Sequence, residues 1–82
     1  MIIFLATNLK YAQTDIKRNY HIMSARERGG EVIYGGQTVP FRIAMRTDDV
    51  RGLRVSEVIV LPHAELDVNP YLVKLAMSRK GI

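Results

Sequence analysis

The chain opens on a continuous apolar run, Ile2 to Ala6. Such a run, without polar alternation, suits a strand covered on both faces, as in parallel sheets. Leu9, Ala12, Ile16, Tyr20 and Met23 then recur at steps of three and four, with Lys10, Gln13, Lys17 and Arg18 mostly on the other side. This spacing predicts an amphipathic helix that is capped by Thr7 or Asn8 and ends near Ser24. The polar stretch Ala25 to Gly30 reads as a loop. Glu31 to Tyr34 and Gln37 to Arg46 flank Gly35-Gly36, a two-residue hairpin signal. In the second arm Val39, Phe41, Ile43 and Met45 form a core face, and Arg42 and Arg46 lie on the other. Pro40 cannot donate to a ladder, which predicts an edge or bulged strand. Thr47 to Asp49 is a turn, with a short helical turn expected at Asp49 to Leu53.

Val58 to Leu61 is a second continuous apolar run, expected as a fully buried strand. Asn69-Pro70 places an N-cap before a proline at the first helical position. The last helix follows, with Tyr71, Leu72, Leu75 and Ala76 facing inward and Gly81 as its stop. The order is β-α-β-β-β-α. Two continuous apolar strands, each followed by a helix, predict an α/β fold in which the first and last strands pair in parallel.

Eighty-two residues make a single α/β domain, 1–82, that buries only ~60–65% of its unfolded surface. With no cysteine and only His21 and His63, neither a disulfide nor a four-ligand zinc site is expected. The first apolar run is far short of the ~20 residues that span a bilayer, and no basic stretch precedes it. A cytoplasmic protein without a membrane partner is therefore expected. The formal charge is +4. Residues 1–54 hold nine Lys and Arg against five acids, whereas residues 55–82 balance. That asymmetry permits nucleic-acid binding.

Strand, helix, hairpin, Arg51-Gly-Leu-Arg54 and then an apolar strand is an order that resembles the core of P-loop ATPases of the phage terminase large-subunit and helicase type. Phe4 to Gln13 resembles that family's strand-turn-helix. Gly30 to Ile43 resembles its short hairpin, and Val58 to Leu61 its Walker B strand. A similar Arg-Gly-Leu-Arg…Val-Ile-Val-Leu-Pro arrangement occurs in short phage proteins of uncharacterised function. The resemblance implies a truncated and degenerate relative. No Gly-Lys-Ser/Thr phosphate loop is present. Pro62 and His63 stand where the family has its Asp-Glu pair, and neither suits Mg²⁺. Glu65 alone does not replace both acids. No enzymatic activity, catalytic residue or cofactor is therefore expected.

His63 with Glu65 or Asp67 could form an acid–base pair, but a strand-to-loop boundary more often holds a structural, hydrogen-bonded histidine. The remaining candidates are arginines. Arg42 and Arg46 lie on a strand, Arg51 and Arg54 in the loop before the last strand, and Arg26 and Arg28 in the loop before the hairpin. Guanidinium forks suit phosphate oxygens, so convergence of these six would clamp phosphates. The competing reading ties Arg51 and Arg54 to nearby carbonyls and to Asp48 or Asp49. The function expected is a non-enzymatic interaction module that binds a protein partner or itself, with nucleic-acid backbone binding as the alternative.

Overall fold

The structure, a computed structural model, describes residues 1–81. Five strands form one mixed sheet: β1 (Ile2–Leu5), β2 (His21–Arg26), β3 (Gly29–Tyr34), β4 (Gln37–Ala44) and β5 (Glu57–Val60). Their spatial order is β2-β3-β4-β1-β5. Helices α1 (Leu9–Asn19) and α2 (Pro70–Ser78) complete the α/β fold. Single 3₁₀ turns sit at Thr47–Asp49 and Pro62–Ala64.

The interior position of β1, between β4 and β5, explains its composition. It pairs in parallel with β4, Ile2 opposite Phe41, and with β5, Ile2 opposite Glu57. Side chains alternate between faces along a strand, so both faces of β1 must be apolar. Ile2, Phe4 and Ala6 pack with Ala12 and Ile16 of α1 and with Phe41 and Ile43 of β4. Ile3 and Leu5 pack on the other face with Leu72 and Ala76 of α2 and with Val50 and Val55 from the connection to β5. The sheet is thus a middle layer between two helices. Phe4 is fully buried and meets Tyr20 and Phe41 edge-on, with ring centroids 5.1 and 5.5 Å apart. Burial, and secondarily the neighbouring Tyr34, raises the phenol pKa of Tyr20.

Local signals set several boundaries as expected. Asn8 caps α1 by accepting the Tyr11 N–H at 3.0 Å, and Asn69 caps α2 by accepting from Tyr71 at 2.8 Å. Gly35 and Gly36 take φ of +59° and +78°, the left-handed pair that closes a tight hairpin. The parallel pairing of the first and last strands is present.

Other expectations are corrected. Helix α1 ends at Asn19 rather than near Ser24, because Tyr20 is already extended (φ −135°, ψ 153°) and leads directly into β2. The supposed loop 25–30 is therefore the end of β2, the turn Glu27-Arg28 and the start of β3. Met23, placed on the helical stripe, is 54% exposed on β2. Strand β4 ends at Ala44, and it is interior rather than an edge, flanked by β3 and β1. Pro40 is tolerated there because the pairing with β1 begins one residue later, at Phe41. Strand β5 is one of the two outer strands, begins at Glu57 and is half-buried throughout rather than fully buried. The helical turn expected at 49–53 lies at Thr47–Asp49, and Tyr71 points outward, 75% exposed. Among the described residues no helix is long and apolar enough to cross a membrane.

Candidate functional site

The structure brings together three of the six arginines. Strand β2 runs antiparallel to β3, with Arg26 opposite Gly29, and β3 runs antiparallel to β4, with Gly29 opposite Arg42. Arg26, Gly29 and Arg42 therefore stand in one row across three strands. By the strand alternation Arg42 faces away from Phe41 and Ile43, hence away from α1. Helix α2 covers the β1 side of this face and leaves the row open. Arg26, Arg28 and Arg42 line a single hollow of about 430 Å³ with Gly29, Gly30, Pro40 and Asp49.

The carboxylates near this hollow are largely engaged. Glu27 sits 3.7 Å from Arg28. Asp49 Oδ2 accepts the backbone N–H groups of Met45 and Arg46, each at 3.0 Å. Glu31 Oε1 accepts from the Ser24 hydroxyl at 3.3 Å. Among the described residues Arg26 and Arg42 form no ion pair.

The other arginines do not join them. Arg46 follows β4 and is exposed outside the hollow. Arg51 pairs with Asp48 at 3.4 Å, both largely exposed, as the local reading expected. Arg54 borders a separate hollow with Ser56 and Lys80. Among the described residues its side chain forms no ion pair. Arg79, the C-cap of α2, braces the loop instead, donating Nε–H to the Leu53 carbonyl at 3.1 Å. Lys80 adds a bond to Glu57 at 3.2 Å, which holds that carboxyl below its usual range.

His63 is a tie between elements. Its Nδ1 lies 2.7 Å from Asp15 Oδ2, and the Thr7 N–H donates to its Nε2 at 3.2 Å. With Nε2 accepting, the ring proton belongs on Nδ1 and is donated to Asp15. The His63 backbone N–H reaches the same carboxylate at 3.2 Å, and Tyr11 packs edge-on against the ring. Both ring nitrogens are occupied, which fits the structural reading of His63. The partner is Asp15 of α1, not Glu65 or Asp67. A usable signal was present: Asp15 adjoins Ile16 on the flank of the buried stripe, where a carboxylate needs a partner.

The hydrogen bond from His63 holds the Asp15 carboxyl below the ordinary carboxylate range, against the opposing effect of burial. A depressed folded-state pKa stabilises the fold above the unfolded value. The contribution is lost as pH falls below about 4. Asp15→Asn should therefore cost about 1 kcal/mol at pH 7. Urea titrations at pH 7 and pH 3 should show the gap to wild type narrowing in acid.

The sheet's outer strand β2 is the second feature left open by the fold. It pairs only with β3, and five of its six residues are exposed. Alongside it, on the α1 face, Ile16, Ile22, Ala25, Phe41 and Ile43 line a groove of about 320 Å³ with Lys17 and Arg26 at its rim. The strand's unpaired N–H and C=O groups are a template for another strand. Its polar composition and the missing breaker between Asn19 and His21 concealed it in the sequence. Among the described residues no cluster of three metal-ligating side chains occurs.

Neither a family model, nor a curated protein, nor a solved structure matches the chain.

Proposed function

We propose that the protein is a non-catalytic interaction module that acts in the cytoplasm and docks an extended segment of a protein partner, or of a second copy, along β2. The observation that carries this reading is the free β2 edge, six residues long and largely exposed. Added strands gain main-chain hydrogen bonds from such an edge and specificity from side-chain pockets beside it. The apolar groove flanking β2 is such a pocket. The occupied nitrogens of His63 favour a structural over a catalytic role. Descent from a degenerate P-loop ATPase core of phage type belongs to the same proposal. What supports it is the parallel β1–β5 pair, followed by Pro62 and His63 where the acids of such an enzyme would stand.

Natural edge strands are protected by lysine, so Met23→Lys is the informative variant. Met23 is exposed, and the substitution should change stability by no more than about 0.5 kcal/mol. Nuclease-treated pull-downs with tagged wild type should retain a partner that Met23→Lys loses. Equal capture by both would exclude β2. Light scattering across micromolar concentrations separates the two kinds of partner, since a strictly monomeric protein leaves only a different chain.

A further inference from the structure

We propose that Arg26 and Arg42 form a phosphate-binding site above Gly29, on the sheet face opposite the groove beside β2. The row Arg26–Gly29–Arg42 crosses three adjacent strands, so the two arginine Cα atoms stand two strand spacings apart, roughly 10 Å. Both residues line one hollow. The residue between them has no side chain, so the space over the middle strand is empty. Two guanidinium groups leaning in from either side leave room for one tetrahedral anion, each offering a fork of N–H donors to its oxygens.

The neighbouring charges are consistent with an anion there. Arg28 borders the hollow but is drawn to Glu27, and Asp49 spends its carboxylate on two backbone N–H groups. Of the three arginines that line the hollow, that leaves Arg26 and Arg42 without an ion pair among the described residues. Gly29 is required by the backbone as well: a Cβ on it would stand 2.8 Å from the Phe41 carbonyl oxygen. The floor of the site is therefore fixed as glycine by the same β3–β4 contact that sets the row.

The ligand is a phosphate group, supplied by a nucleic-acid backbone or by a free phosphate. Two probes separate these sources: a fluorescein-labelled single-stranded oligothymidylate, read by anisotropy across a salt series, and inorganic phosphate, read by movement of the Gly29 amide resonance. Wild type and Arg46→Ala, whose guanidinium lies outside the hollow, should bind alike. Arg26→Ala and Arg42→Ala should each weaken binding about tenfold. Each should also reduce the slope of log affinity against log salt by about 0.7. Oligonucleotide binding with no response to inorganic phosphate would assign the backbone as the source, and a response to both would assign the free group. Both results support the site if they depend on Arg26 and Arg42. Binding that Arg46→Ala weakens as much as Arg42→Ala would overturn it, as would binding indifferent to both Arg26 and Arg42 or no binding of either probe. Arg42 lies on β4 and outside the groove beside β2, so Arg42→Ala reads the phosphate site without touching the strand that Met23→Lys tests, whereas Arg26 ends β2 and rims that groove.

Discussion

Phe4→Ala should cost about 4 kcal/mol, the largest loss expected from any single truncation in the chain. Phe4 has no exposed surface and lies on the interior strand β1, under α1. It contacts the rings of both Tyr20, at the end of α1, and Phe41, on β4. Removal of the ring leaves a cavity bounded by the sheet backbone on one side, which cannot collapse far to fill it. A chain of this length has roughly 4–12 kcal/mol in total, so the variant loses between about a third and all of its stability. Phe4→Leu keeps most of the volume and should cost less than half as much. Chemical denaturation of the two variants checks both the magnitude and the ranking. Equal, small losses would mean that Phe4 is not at the centre of the core.

Gly30→Ala should be nearly as damaging, for a backbone reason. Gly30 sits on β3 at φ +152°, and a Cβ there would stand 2.1 Å from the Ser24 carbonyl oxygen and 3.0 Å from the Ala25 Cα. Both obstacles are main chain of β2, so relief requires β2 to move away from β3. The expected cost is about 3 kcal/mol, seen as a fall in Tm of roughly 15 °C for a domain of this size. Gly35→Ala provides the comparison. Gly35 has positive φ as well but nothing within 4 Å, so only the conformational penalty of about 1 kcal/mol should remain. Loss of the β2 amide protection should accompany the Gly30 change and not the Gly35 change.

The contrast between these two glycines also shows what the sequence conveys and what it does not. Gly35-Gly36 announces its hairpin because the turn is local. The role of Gly30 depends on β2 lying beside β3, and β2 itself was hidden. Tyr20 and Met23 continue the three-and-four spacing of α1, and no glycine or proline separates Asn19 from His21. Only one side chain of β2, that of Ile22, packs against the core, so the strand has no alternation strong enough to compete with that spacing.

The two apolar runs present the converse difficulty. Ile2 to Leu5 and Val58 to Leu61 look alike, yet one is an interior strand and the other belongs largely to an edge. Periodicity reports burial only where the strand's neighbours are known, and those are set by the crossover after β4. Pro40 misled for the same reason, since β4 lies inside the sheet but its flank toward β1 is bare from Gln37 to Pro40. Of the arginines, the pair Arg42 and Arg26 became visible as a unit only through the register of three strands, which no spacing along the chain encodes. The tie between Asp15 and His63, 48 residues apart, is of the same kind.

Docking requires β2 to be an edge that accepts another strand, and amide hydrogen exchange reads that edge directly. In the free protein, the amides of His21 to Arg26 that face away from β3 should exchange at rates close to those of an unfolded chain, because no partner protects them. In complex with the partner retained by wild type, or at concentrations where a second copy binds, those same amides should slow by at least about tenfold while the β1 amides stay as they were. Protection that appears elsewhere, with the β2 edge exchanging as fast as before, would contradict the account.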